Sequence, residues 1–356
     1  MALVAPKLWI PQRVLVTPAA AEYEHGRAIV ERCEHLGVPV ERLAANRLTG
    51  LRGADERDTY RRSKSTLAVV VSPPGERRLK PIPPSADWQF HLARGCPAHC
   101  QYCYLAGSLP GPPITRAYAN LDEILAAVDE HVGRGGVTSR QPARAQEGTT
   151  FEASCYTDPL ALEHLTGSLA AAIEAFGRRD DDASLRFTTK FDAVDDLLDL
   201  DHRGRTRVRF SVNAAGVAGF EGGTAPVRAR VAALARMAGA GYPVGLTIAP
   251  IMPVEGWREQ YAALLDDVVA ALAIHDDVDL TVELITHRFT ETSKEVLSGW
   301  YPGSRLEMDE SVRTLKRTKF GGGKYVYPRA TMGELRGFLE AAIAERLPEA
   351  RVLYWT

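Results

Sequence analysis

The sequence predicts an α/β chain whose central part is a partial (β/α)6 barrel. A small N-terminal α/β domain precedes it and a basic β-hairpin follows. Three observations carry this. From Trp88 onward, short β-prone runs alternate with helical patterns, as parallel strands joined by right-handed crossovers require. A ten-residue stretch, Gly95-Cys96-Pro97-Ala98-His99-Cys100-Gln101-Tyr102-Cys103-Tyr104, interrupts the first of these units with three thiols. Near the C-terminus the pattern changes to a basic and aromatic segment around Gly321-Gly322-Gly323.

In chain order, residues 8–16 read as a strand, 19–36 as a helix stopped by Gly37, and 67–71 as a strand. The charged residues 52–64 between them read as a solvated connection. Proline clusters at 72–75 and 81–84 place a boundary near residue 84, giving domains 1–84, 85–300 and 301–356. In the middle domain, strands are expected at 89–93, 149–153, 185–190, 207–213, 244–250 and 279–285. Helices are expected at 121–132 (capped by Asn120), 160–176, 193–200, 226–238 and 257–274. The glycines at 239, 241 and 245 follow a helix and precede a strand, the reverse of a dinucleotide fingerprint, so they read as a helix stop and turn. The tail is expected to form a hairpin about the three glycines, a closing helix over 332–347 and a last strand at 352–354.

Composition narrows the function classes. A chain of 356 residues with 45% hydrophobic and 25% charged content can bury a sizeable core, and its net charge of −2 leaves nucleic-acid binding to a local patch. No apolar run is long enough to span a membrane, and residues 1–11 lack a signal-peptide core, so a cytoplasmic, reducing location is expected. Five cysteines, three of them in one loop, do not suit a disulfide framework.

The cysteine loop carries the chemistry. Its spacing is Cys-x3-Cys-x2-Cys with an aromatic before the last cysteine. Three thiolates can hold three irons of a [4Fe–4S] cluster and leave the fourth iron open, whereas electron carriers use four cysteines. Zinc would need His99 or Cys33 as a fourth ligand. The motif resembles the signature of radical S-adenosylmethionine (AdoMet) enzymes, which implies that AdoMet occupies the open iron. In such barrels the chemistry sits at the C-terminal strand ends, where Cys155, Lys190 and Ser211 also fall.

Further segments extend the resemblance over residues 85–356. Phe151-Glu152-Ala153-Ser154-Cys155, Phe187-Thr188-Thr189-Lys190, Arg209-Phe210-Ser211-Val212-Asn213, His287-Arg288-Phe289-Thr290 and Lys324-Tyr325-Val326-Tyr327 are similar to the spore photoproduct lyase family of DNA-repair enzymes. The resemblance implies that Cys96, Cys100 and Cys103 hold the cluster, and that Lys190, Ser211, Thr157 and Asp158 belong to the AdoMet site. It implies that Cys155 donates a hydrogen atom to the product radical and that Tyr102 and Tyr104 relay the radical toward the cofactor. Arg317, Lys319 and Lys324 would then contact DNA that contains a thymine photolesion, with an electron donor such as flavodoxin or ferredoxin. The implied reaction is hydrogen abstraction from C6 of 5-thyminyl-5,6-dihydrothymine, scission of the methylene bridge and return of two thymines.

Taken without the family, several of these residues have plainer readings. Cys155 fits a core cysteine, Asp158 a helix cap, Ser211 and Asn213 strand-end bonding, and Tyr102 and Tyr104 core packing. Glu152 fits either an exposed carboxylate or a group inside the barrel holding the methionine amino group. Tyr156, beside Cys155, departs from the small hydroxyl residue the family shows there. The alternative classes are a radical AdoMet enzyme acting on another nucleic-acid or peptide substrate, and a non-catalytic cluster or zinc module that binds DNA.

Overall fold

The computed structural model describes residues 6, 8–109, 111–135, 142–144, 146–317 and 322–356. The first part of the chain runs β1 (Arg13–Val16), α1 (Pro18–Glu22), α2 (Glu24–His35), β2 (Val40–Arg42), α3 (Glu56–Lys64), β3 (Thr66–Val70) and α4 (Pro74–Arg77). Next come β4 (Lys80–Ile82), β5 (Ala86–Phe90), β6 (Ala93–Arg94), β7 (His99–Cys100), β8 (Thr115–Tyr118), α5 (Leu121–Ala126) and β9 (Thr149–Ala153). The middle holds α6 (Glu163–Thr166), α7 (Ser168–Gly177), β10 (Ala183–Thr189), β11 (Thr206–Val212), α8 (Ala215–Ala218), β12 (Glu221–Gly222) and α9 (Val227–Gly239). It closes with β13 (Val244–Ile251), α10 (Trp257–Leu272), β14 (Leu280–Thr286), α11 (Glu291–Trp300), β15 (Thr314–Arg317), β16 (Gly323–Val326), α12 (Arg329–Arg346) and β17 (Arg351–Trp355).

Two main sheets organise these elements. The larger has the order β17-β14-β13-β11-β10-β9-β5-β4. Its six consecutive strands from β5 to β14 pair in parallel and in chain order, which is the expected half-closed (β/α)6 barrel. β17 extends it in parallel and β4 ends it antiparallel. Both faces of these strands are covered, so all of β11 is buried, its Arg207 and Arg209 included. The smaller sheet, β2-β1-β3-β8-β6, takes β6 and β8 from beyond residue 84, and β4 from before it joins the barrel sheet. No described helix is long and apolar enough to cross a membrane.

The helices bury one stripe each. On α10 the buried residues are Trp257, Tyr261, Leu264, Leu265, Val268 and Leu272, the three-and-four spacing that presents a single face. Several expectations need correction. The charged stretch 52–64 is not a solvated connection: residues 56–64 form α3, capped by the Asp55 carboxylate on Asp58 N, with Tyr60, Ser63 and Lys64 buried on one side. The helix expected at 193–200 is a single 3-10 turn, Asp195–Leu197, because only Leu197 within that turn is buried. The helix expected at 160–176 breaks at Gly167, whose φ of 63° ends α6, and the Glu163 carboxylate then accepts from Leu169 N and Ala170 N to start α7. Asn120 does not cap α5; its side chain bonds the backbone of Ser72 instead.

The hairpin is present as β15 paired with β16. Phe289 bridges to Tyr325 and stacks on it at 5.2 Å, and Arg313 lies over the Tyr327 ring at 3.6 Å. These contacts pin the hairpin to the segment that leaves β14. The turn, with Lys319, lies outside the described residues.

Candidate active site

The cysteine loop leaves the mouth of the barrel after β5 and β6 and is fastened on two sides. Gly95 opens it with φ of 84°; a Cβ there would meet Ile114 O at 2.2 Å, so only glycine allows this approach. Lys64 of α3 is buried and directs its ammonium at the carbonyl oxygens of Cys96 and Ala98. On the other side, β7 pairs with β12, placing Cys100 opposite Glu221, and Gln101 N donates to Phe220 O at 2.9 Å. Cys100 is buried; Cys96 and Cys103 are half-buried.

This donor set fits a cluster. The three thiols share one loop, Cys33 lies in the N-terminal core, and Cys155 stands at the end of β9. Among the described residues no three Cys, His or carboxylate groups converge as a single metal ion requires. Separate corners of a cube-shaped cluster suit the loop better. Burial pushes the Cys96 thiol up to about 12 and the Cys100 thiol higher still, so iron binding must release their protons.

Beside the loop lies a buried polar node that sequence reasoning missed. Glu221 accepts from Lys190 Nζ at 2.8 Å, pairs with Arg230 at 2.6 Å and accepts from the Tyr102 hydroxyl. Lys190 Nζ also donates to Ser211 Oγ at 2.8 Å and to Ala249 O at 3.2 Å, which uses all three of its protons. The two cations hold the Glu221 carboxyl below its usual range despite burial. Arg230 donates to Ser211 O, Ala225 O and Thr224 Oγ1. Glu221 and Arg230 gave no signal in sequence, because one follows a two-residue turn and the other looks like a charged helix position.

Asp158 organises the end of β10. Its carboxylate accepts from Lys190 N at 2.7 Å, Thr189 Oγ1 at 2.8 Å and Ala161 N at 3.4 Å. Burial raises its pKa to about 6 against those bonds. Thr157 Oγ1 is buried with no partner inside the protein, an orphaned polar atom at the edge of the mouth that a bound cofactor can satisfy. Asn213 is occupied by Pro250 O and by the Tyr261 hydroxyl, each at 3.0 Å.

The segment bearing Cys155 is stitched to the cysteine loop. Ser154 N donates to Phe90 O at 2.7 Å, Leu92 N to Ser154 Oγ at 2.9 Å and Gly95 N to Tyr156 O at 2.8 Å. Ser154 has φ of 63°, an uncommon backbone for a residue with a side chain, held by those bonds. Tyr104 is exposed, and its hydroxyl reaches the backbone carbonyl of Cys155. Tyr102 faces the Glu221 node instead. The Cys155 thiol is half-buried, and burial with the nearby Glu152 carboxylate pushes its pKa well up, so it is a neutral S–H. Tyr156 turns aside: it stacks on His91 at 4.5 Å, with the Arg94 guanidinium 5.5 Å from its ring. Glu152 does point into the barrel, but it is taken by Arg209 and by Ser85 Oγ, not held for a methionine amino group.

The hairpin residues stand apart from this constellation. Arg317 is exposed, and Lys324 is half-buried opposite Lys316 in the ladder. Burial, Arg288 and Lys316 together lower the Lys324 pKa.

A half-barrel with a three-cysteine loop at its mouth, and polar groups converging there from successive strand ends, defines a radical AdoMet enzyme. Its cofactors are a [4Fe–4S] cluster and AdoMet. The family model for spore photoproduct lyase matches residues 9–356. The spore photoproduct lyase of Bacillus subtilis (strain 168) is 40% identical over 352 residues, covering 98% of this chain and 99% of that protein. That of Geobacillus sp. (strain Y412MC61) is also 40% identical, covering 98% and 100%. A solved spore photoproduct lyase variant with bound AdoMet and dinucleoside spore photoproduct superposes with a TM-score of 0.90 at 39% identity, covering 98% of this chain and all of that one. The chain belongs to the spore photoproduct lyase family.

Proposed function

We propose that this protein is a radical AdoMet lyase that repairs the spore photoproduct, 5-thyminyl-5,6-dihydrothymine, in DNA, returning two thymines. In this reading Cys96, Cys100 and Cys103 hold the cluster, while Lys190, Ser211 and Thr157, backed by Asp158, shape the AdoMet site. When bound, the cluster and AdoMet together supply hydrogen-atom abstraction at the lesion. The chain's own part is to place the lesion and to return hydrogen. Cys155 gives the hydrogen atom of its S–H to the thymine radical left after the bridge breaks. Tyr104, with its hydroxyl at the Cys155 backbone, and Tyr102, at the Lys190 node, return the radical toward the cofactor side. Arg317, Lys319 and Lys324 neutralise phosphates while the lesion is drawn out of the duplex. A cytoplasmic location and a flavodoxin or ferredoxin as electron donor complete the reading.

The observation that supports it most is the placement of Cys155, on a segment bonded to the opening of the cysteine loop and touched by Tyr104. Hydrogen-atom donation needs S–H, not thiolate. A Cys155→Ala protein is therefore expected to cleave AdoMet and consume lesion but to give adducts in place of clean thymine. Cys155→Ser is expected to behave likewise, because an O–H bond gives up hydrogen poorly. Chromatography with mass spectrometry of products from dinucleoside spore photoproduct reads the outcome. Clean repair at the parent's rate by the alanine variant would remove Cys155 from the mechanism.

A further inference from the structure

Buried cations in this protein come with carboxylates. Arg144, Arg186, Arg207, Arg209, Arg230 and Arg313 each form an ion pair with a glutamate or an aspartate. Lys64, the last residue of α3, breaks the pattern. It is only 7% exposed, and it alone of the buried lysines and arginines among the described residues has no carboxylate partner. An ammonium taken out of water is costly unless an anion meets it.

The groups that Lys64 does touch are neutral and lie mostly in one place. Its ammonium donates to the carbonyl oxygens of Cys96 and Ala98, and the Tyr60 ring centre lies 6.0 Å from Nζ. These are dipoles and a ring quadrupole, not a counter-charge. Both carbonyls belong to the cysteine loop, one of them to a cluster ligand in the reading above. The loop is tied to α3 a second time, since the Tyr60 hydroxyl bonds His99 Nδ1 at 2.8 Å and His99 precedes Cys100. The anion that completes the Lys64 site therefore belongs in this loop. Three thiolates on an iron–sulfur cube give it net negative charge, and an added electron makes that charge larger. The reduction potential of such a cluster follows its net charge and its surroundings.

We propose that Lys64 is the electrostatic counter-charge of the cluster and raises its reduction potential. The ammonium favours the reduced cluster over the oxidised one, because the reduced form is the more negative. The step that it eases moves one electron from an external reductant, such as dithionite, into the cluster. No bond forms or breaks, and the ammonium keeps its protons. Part of the redox chemistry at the barrel mouth is then set by α3, a helix that precedes the barrel in the chain. The inference rests on the cluster reading above. That reading fails separately, as parent protein that takes up zinc, or iron without sulfide, and shows no one-electron couple.

The test is a mediated redox titration of anaerobically reconstituted full-length protein, read by electron paramagnetic resonance of the reduced cluster. Lys64→Met and Lys64→Gln remove the charge, and Lys64→Arg keeps it. The two charge-free variants are expected to lower the midpoint potential by about 60 mV, a tenfold change in the one-electron equilibrium. Lys64→Arg should stay close to the parent. Arg61→Gln, on the exposed side of the same helix, should leave the potential unchanged. Without iron the Lys64 charge has no partner to lose, so the apo variants are expected to fold as the parent does by circular dichroism. An unchanged potential in the charge-free variants overturns the proposal. So does an equal fall in Lys64→Arg, which would assign the effect to loop geometry. So does an apo Lys64→Met protein that fails to fold, which would make Lys64 part of the framework.

Discussion

Two buried ionic networks share the barrel and are built to opposite rules. In the interior, Arg144, Arg186, Arg207 and Arg209 meet Glu147, Glu152, Glu283 and, at the edge, Asp279, four cations for four carboxylates. At the mouth, one carboxylate, Glu221, is shared between Lys190 and Arg230, while Asp158 takes the Lys190 backbone N–H rather than its ammonium. The balanced network fills space that a larger barrel would leave to ligand, and every one of its carboxylates has a guanidinium. The one at the mouth sits against the three cysteines, beside which the proposed reading puts the cluster and AdoMet. The difference teaches that neither burial nor an unpartnered polar atom marks a functional site, since the interior has both; the mouth is recognised by a carboxylate shared between two cations beside the cysteine loop.

Breaking the interior should cost the most. Arg209→Leu leaves Glu152 without its cation and Glu283 with Arg186 alone, 4.0 Å away, and removal of one partner from a buried pair typically costs about 3–5 kcal/mol. Urea unfolding of the apo protein should show that loss, and a cost under about 1 kcal/mol would mean that the network is not structural. Lys190→Met at the mouth should read out differently. Glu221 keeps Arg230, so stability should fall by less than about 2 kcal/mol. AdoMet affinity, measured by equilibrium dialysis on reconstituted protein, should drop about tenfold, or ~1.4 kcal/mol.

The two regions should also titrate in opposite directions. Arg186 and Arg209 hold the Glu283 carboxyl below its ordinary range, so its stabilisation is present above that range and is lost as pH falls. Asp158 at the mouth is raised from 3.8 to about 6. Between those values the unfolded chain has already ionised while the folded protein keeps the proton, so stability declines as pH rises through that window and levels off above it. Glu163, raised by burial to about 7, adds a decline of the same sign, so Asp158→Asn should remove part of the decline in urea midpoints taken from about pH 4 to 7 and Asp158→Asn/Glu163→Gln most of it, leaving the acid-side loss in place. The smallest effect on stability belongs to the hairpin. Arg317→Ala/Lys324→Ala should change unfolding by no more than about 0.5 kcal/mol, yet flatten the salt dependence of DNA binding by about two units of slope. An unaltered slope would take these side chains away from phosphate.

What the sequence made legible follows the same division. The six barrel strands, the cysteine loop and the strand-end positions of Cys155, Lys190 and Ser211 could be read because each signal is local: a spacing, a β-run, a turn. Strand β5 was displaced, expected at 89–93 and found at Ala86–Phe90, since Ala86 and Asp87 are buried without looking apolar as a pair. Tyr60, Lys64, Glu221 and Arg230 could not be found that way. Lys64 acts on the cysteine loop across 32 residues of chain and Lys190 meets Glu221 across 31, so each acquires meaning only when the fold brings its partner. In β11 the alternation of Val208, Phe210 and Val212 was visible, but both faces are buried, and the intervening arginines are interior residues rather than a wet face.

The short pairing of β7 with β12 has a consequence for upkeep of the enzyme. Backbone bonds hold Cys100 opposite Glu221, and the Lys64 ammonium fixes the carbonyls of Cys96 and Ala98, by contacts that involve no thiol. The cysteine loop is thus anchored by contacts that no thiol makes. In the proposed reading, a cluster lost to oxygen leaves these anchors in place for the assembly of a new one.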